Sequence, residues 1–229
     1  MKKIILTAVL LVFSTMSAKA VDFSVFSLTG GLATNSSVFG ASGKEENFSD
    51  TTGNAATINT DEGVFTESYG SQFVELGVGR FISLGYEHTP DSIATPENVA
   101  NEGDGSDEQT VSVKFNDKNT TYIKFNVPGG IYVKLGDVDV DVDVTTSRGT
   151  FADTTTSGTS VGVGYQRLFG DSGFGVRLEG NYLDFENVKT NDGDTTDTVA
   201  NSGRTVVTAK NLEGLEAKLA ITYTFGRNN

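Results

Sequence analysis

The chain has 229 residues, 30 acidic against 17 basic side chains, a formal net charge of −13 and no cysteine. Disulfides, thiolate metal sites and thiol chemistry are therefore excluded. The acidic balance argues against nucleic acid as a partner, because its phosphates would be repelled.

The first twenty residues have the three regions of an export signal. Met1-Lys2-Lys3 is basic, Ile4 to Phe13 is an apolar run of ten residues, and Ala18-Lys19-Ala20 is a cleavage site of the A-x-A kind. Ten apolar residues are too few to span a bilayer as a helix, so residues 1–20 are expected to be removed. The mature chain, residues 21–229, would number 229 − 20 = 209, and losing three lysines takes its net charge to 14 − 30 = −16. No later stretch approaches 18 consecutive apolar residues, which excludes a helical membrane protein. With 27 glycines against 3 prolines, abundant Thr and Val, and no capped helical pattern after residue 20, the chain reads as all-β.

The rest consists of alternating apolar segments separated by short and long connections in turn. A first strand is expected over about Asp22 to Ala33, with Phe26, Leu28 and Leu32 on one face. Thr34 to Gly63, rich in Ser, Thr, Gly, Asn and acid, reads as a first outer loop. Phe65 to Leu76 is a second strand of mixed parity, followed by a short turn at Gly77 to Arg80. Phe81 to His88 follows, with Ile82, Leu84 and Tyr86 on one face and Ser83, Gly85 and Glu87 on the other.

Thr89 to Gln109 contains Pro90 and Pro96 and reads as a second outer loop. Val111 to Phe115 and Thr121 to Val127 form one strand interrupted by a hairpin or bulge near Asn116, and Pro128-Gly129-Gly130 is a tight turn. In Ile131 to Val144 the apolar parity changes midway. Either a bulge at Gly136-Asp137 shifts the faces, or the outward face is Tyr132, Lys134, Gly136, Val138, Val140 and Val142, with Lys134 snorkelling; the second is favoured.

Thr145 to Gly158 reads as a third outer loop. Thr159 to Phe169 has Val161, Val163 and Tyr165 opposite Gly162, Gly164 and Gln166, and Gly170 to Gly173 is a turn. In Phe174 to Phe185, Phe174, Val176, Leu178, Gly180 and Tyr182 face outward, and Arg177, Glu179 and Asn181 inward. Glu186 to Arg204 is the fourth outer loop, and Thr205 to Phe225 the last strand. Within it Leu215, Ala217, Leu219, Ile221, Tyr223 and Phe225 make an unbroken apolar face about 11 residues long, near what a tilted strand needs to cross a bilayer. It ends on two aromatics, as a lipid-facing strand does at the headgroup girdle.

That ending resembles the C-terminal signal by which bacterial outer-membrane barrels are recognised for assembly, with Lys218, Ala220, Tyr223 and Phe225 in the polar, small and two aromatic places. Ala220 stands where glycine is usual, and Gly226 to Asn229 follow the aromatic that usually closes the chain. The count is eight strands, four long loops and three short turns. This layout, with Val161-Gly-Val-Gly-Tyr165 and Leu178-Glu-Gly-Asn-Tyr182-Leu, resembles the opacity-type proteins and the OmpA membrane domain over about Asp22 to Phe225. The expected fold is an eight-stranded antiparallel up-and-down transmembrane β-barrel in a cell outer membrane, with lipid and the barrel assembly machinery as partners and an extracellular ligand as a further candidate.

The chemistry-bearing residues are few. Arg177 and Glu179 on one strand and Glu216 and Lys218 on the next would form a cross-strand charge network plugging a narrow lumen. Asp137, Asp139, Asp141 and Asp143 put four carboxylates on one strand face. A weak site for a divalent cation is conceivable there, but residues two apart lie about 6.5–7 Å from each other, too far for all four to share one ion. His88, with Glu87, Asp91 and Ser92 nearby, has no second motif to support catalysis. Neither an enzyme nor a cofactor is expected. The resemblance implies a structural or surface-interaction role. The alternatives are a narrow porin-like channel for small solutes and a secreted soluble β-sandwich adhesin.

Overall fold

The computed structural model describes residues 25–48, 55–95, 98–100, 109–146, 149–151, 153–191 and 205–226. The expected signal segment, residues 1–20, lies outside them. The described residues form twelve strands: β1 (Phe26–Phe48), β2 (Ala55–Val78), β3 (Ile82–Thr89), β4 (Ile93–Ala94), β5 (Asn98–Ala100), β6 (Gln109–Asn126), β7 (Ile131–Thr146), β8 (Gly149–Thr150), β9 (Thr154–Leu168), β10 (Phe174–Phe185), β11 (Val188–Asn191) and β12 (Thr205–Phe225). Eight of them, β1, β2, β3, β6, β7, β9, β10 and β12, form a closed antiparallel ring, because the last strand pairs with the first from Leu28–Phe225 up to Asn47–Thr205. Closure leaves no membrane-embedded edge with unsatisfied backbone groups.

The stagger of the ring can be followed residue by residue. From Leu28 the directly paired residues are Leu76, Leu84, Ile123, Leu135, Val161, Tyr182 and Leu215, and the path returns to β1 at Val38. The return lies 38 − 28 = 10 residues above the start. Eight strands with that shear tilt by about 40° and enclose a barrel of about 8 Å backbone radius. Every residue on this path is apolar or aromatic, and the path climbs about 25 Å, the height of a lipid-facing band.

Short turns close one end. Gly79 has φ +63° after β2, Gly129 and Gly130 have φ +95° and +90° between β6 and β7, and Gly170 and Gly173 have φ +56° and +79° between β9 and β10. The opposite end differs from the sequence expectation. β1 and β2 continue as one ladder to Asn47–Thr57, through a region whose polar composition suggests a loop. β7 and β9 likewise stay paired up to Val142–Thr154. Strands need only backbone pairing to persist, and above the lipid their outer face is free to be polar.

Two bulges mark where this extension begins. Asp117 on β6 and Asn211 on β12 adopt left-handed φ of 50° and 52°, a conformation Asn and Asp tolerate better than most residues. The registers of β6 with β7 and of β1 with β12 slip there by one residue. β7 itself has no bulge, and both readings of its faces are corrected: odd residues point outward along its described length. Tyr132, Lys134, Val138, Val140, Val142 and Val144 are buried inside, while Ile131, Val133 and Leu135 face out. Lys134 lies in the lumen and does not snorkel outward.

Candidate functional site

The interior divides into two media. In the extension above the bulges the inward side chains are apolar: Phe39 stacks on Phe65 with ring centroids 5.2 Å apart, and Ile93, Val140, Val142 and Leu212 fill the same core. Below it the lumen is packed with charge. Glu75, Glu87, Glu179 and Glu216 and the cations Lys118, Lys124, Lys134, Arg177 and Lys218 are all buried there.

The lumenal ion pairs reach across the barrel, and most join strands that are not neighbours. At the short-turn end, Arg177 of β10 donates from Nη1 and Nη2 to the two oxygens of Glu75 on β2, each at 2.7 Å. Lys124 donates to the same carboxylate at 2.5 Å, and the Tyr122 hydroxyl donates to it at 2.9 Å. Higher up, Lys218 of β12 lies 2.6 Å from Glu87 of β3 and 3.3 Å from Glu179 of β10. Lys134 donates to Glu179, whose other oxygen accepts from Tyr132 at 2.6 Å. Lys118 of β6 reaches Glu216 of β12 at 2.7 Å, beside Tyr69 at 2.5 Å. Asn181 bridges Glu179 and Glu216 at 2.9 and 2.8 Å. Desolvated charges persist only when paired and hydrogen-bonded in this way.

Glycines make room for the aromatic members. A Cβ on Gly164 would sit 2.3 Å from the Tyr132 ring, and one on Gly85 would sit 2.2 Å from Tyr122. In so narrow a barrel a ring on one strand occupies the space of a side chain on the next.

Of the four charges singled out in the sequence, Glu179, Glu216 and Lys218 are joined directly, Lys218 lying 3.3 Å from Glu216 as well. Arg177 belongs to the lower cluster with Glu75. Sequence reasoning missed Glu75, Lys118, Lys124 and Lys134 as lumenal partners. β2 has mixed parity, Lys118 falls at the bulge, and Lys134 was given to the wrong face. The signal available for Lys124 was its alternation with Tyr122 and Thr120, all buried.

The remaining candidates lie elsewhere. Asp137 and Asp141 are exposed on the outer face of β7 and Asp139 and Asp143 partly so; Asp143 accepts a 2.7 Å bond from Asn116. Among the described residues, no group of three or more His, Cys, Asp or Glu is placed to hold a metal ion. His88 Nδ1 lies 2.9 Å from Asn119 Oδ1, in a groove of about 590 Å³ that Gln72, Tyr86 and Asp117 also line. Asp91 instead accepts from the Gly70 amide at 2.8 Å. At the C-terminal end, Lys218 and Ala220 are buried inside, whereas Tyr223 packs edge-on against Phe174 and Phe225 with centroids 4.8 and 4.4 Å apart.

The outer wall settles the medium around the ring. Leu178, Leu219 and Ile221 are 61 %, 55 % and 66 % exposed, whereas Arg177 and Lys218 are 2 % and 3 % exposed. A soluble sandwich would bury the first set and solvate the second. A closed ring with grease outside and charge within sits in lipid. The fold is that of the small bacterial outer-membrane β-barrels.

A solved outer-membrane barrel shares this fold. The outer membrane protein OprG from Pseudomonas aeruginosa matches over 85% of this chain and 96% of its own, at 10% sequence identity and a TM-score of 0.55. The outer membrane protease OmpT from Escherichia coli matches over 86% and 97%, at 11% identity and a TM-score of 0.44. At 10% identity the likeness to OprG concerns the fold alone. No protein-family model and no curated protein sequence matches the chain. This chain is an integral outer-membrane barrel by its fold and its lipid-facing belt.

Proposed function

We propose that this barrel is a closed structural and surface-interaction protein, its lumen plugged by the charge network and its extension presented outside the cell. The observation that carries this reading is the set of ion pairs spanning the lumen at two levels, Arg177–Glu75 below and Lys118–Glu216 above. Opening a pore would mean separating buried opposite charges, at several kcal/mol per pair. The dry core of Phe39, Phe65, Val140 and Leu212 lies above the upper level. The outer face of the extension is acidic through Asp137, Asp139, Asp141 and Asp143, and weak association of divalent cations there belongs to the same reading. The short-turn end faces the periplasm, and the Lys218, Ala220, Tyr223 and Phe225 ending is what the barrel assembly machinery reads.

Planar-bilayer recording tests the plug. The purified barrel is expected to give no steady ion-sized openings, and Glu216→Ala to introduce them by releasing Lys118 and Lys218. Steady openings in the unaltered protein would establish the channel alternative instead.

A further inference from the structure

We infer that the short-turn half of the lumen binds one small monovalent anion of halide size, held by Lys124, Arg177 and Thr222. The first observation is a local charge count. Lys124 Nζ and Arg177 Nη2 share the same two acceptors, Glu75 Oε2 at 2.5 and 2.7 Å and Gln166 Oε1 at 3.4 and 2.9 Å. Glu75 is saturated by these donors, by Arg177 Nη1 and by the Tyr122 hydroxyl. Two cations therefore face one carboxylate, and Gln166 contributes no charge. In the upper cluster Glu87, Glu179 and Glu216 match Lys118, Lys134 and Lys218. Among the described residues, the lumen thus holds one positive charge in excess, and that charge lies at the short-turn end.

The second observation is independent of charge. Arg177 Nε and Thr222 Oγ1 are fully buried and have no hydrogen-bond partner in the protein, although buried polar groups are nearly always satisfied. Their residues lie on adjacent strands, two register positions apart. Thr222 pairs with Gly175 and Ala220 with Arg177 on adjacent strands, and Thr222 Oγ1 lies 3.0 Å from where a Cβ on Gly175 would be. An N–H and a hydroxyl beside an ammonium in excess of its partners are the donor set of a small anion, and the low surrounding dielectric strengthens the attraction. Gln166 offers its carbonyl to the two cations and can turn its amide N–H groups to the same ion. A divalent anion would overcompensate one charge, and the rings of Phe73 and Tyr132, 4.5 and 5.3 Å from the Arg177 guanidinium carbon, crowd the approach of a bulky one.

Two measurements on the full barrel in detergent test this. Thermal unfolding is followed in sodium chloride or bromide against sodium gluconate at equal ionic strength. The midpoint is expected to rise with halide in a saturable way and not with gluconate. Lys124→Gln should weaken the apparent halide affinity about tenfold or more, and Thr222→Val several-fold. Crystals grown in bromide should show one anomalous peak in contact with Lys124 Nζ and Arg177 Nε. The bromide measurement uses the unaltered protein, so a variant that fails to fold leaves the test intact. Equal responses to halide and gluconate, an undiminished halide response in Lys124→Gln, or no bromide peak at that position would each overturn the site. A midpoint that follows pH but not halide would assign the excess charge to proton release from Lys124 instead, and would also overturn it.

Discussion

Arg177 on β10 and Glu75 on β2 meet across the lumen through two parallel bonds of 2.7 Å, although two other wall strands, β1 and β12, separate their own. The pair is bidentate, buried and backed by the Phe73 and Tyr132 rings. Arg177→Ala leaves Glu75 with a lysine and a tyrosine in place of the guanidinium fork. It is expected to lower unfolding stability by about 1–3 kcal/mol, because Lys124 still compensates the carboxylate. Glu75→Gln, which leaves both Arg177 and Lys124 without a carboxylate, should cost more, about 3–5 kcal/mol, in urea unfolding from lipid vesicles.

Gly164 lies where Tyr132 needs its space. Gly164→Ala places a methyl group 2.3 Å from the ring, so the ring or the strand must shift. Overpacking of this kind costs about 1–3 kcal/mol. Gly180 has nothing within 4 Å of its Cβ position, and Gly180→Ala should be close to neutral in the same equilibrium unfolding measurement.

The lipid belt predicts an asymmetry along one strand. Leu178→Arg puts a charge on the lipid face within the belt and is expected to cost about 2–4 kcal/mol. Asp184 lies on the same face of β10 but above the belt, where Asp184→Arg should change stability by under about 1 kcal/mol. Folding into vesicles, read by heat-dependent gel migration, measures both.

The extension should behave as a soluble core. Val142→Ala removes two buried carbons beside the Phe39 and Phe65 cluster and is expected to cost about 2 kcal/mol. Its neighbour Asp141→Ala, on the wetted face, should be near neutral. Hydrogen exchange should show the loss confined to the upper β7–β9 ladder, with protection below Gly136 unchanged.

Much of the wall was legible because each lipid-facing strand states its own alternation. In β12 Leu219 and Ile221 face out and Lys218 and Thr222 in, and in β10 Leu178 faces out and Arg177 and Glu179 in; the sequence assigns the same faces. The tight turn at Pro128 to Gly130 was equally legible, since two consecutive glycines take positive φ there. β7 was misread for a physical reason. Its parity is constant, but the medium outside changes from lipid beside Leu135 to water beside Asp139. The apolar set therefore crosses from the outer face to the inner one without any bulge. A sequence pattern records which residues alternate, and the surroundings decide which of the two faces is greasy.

Composition and periodicity by themselves thus determined an all-β chain, most of its wall strands, its short turns and the facing of β10 and β12, because those are properties of neighbours along the chain. Only the tertiary structure decided that Arg177 meets Glu75, that Lys134 and Lys124 lie inside, and that the strands run on above the lipid around a dry core. Those contacts follow from closing eight strands with a stagger of ten residues, which brings together side chains that no local pattern relates.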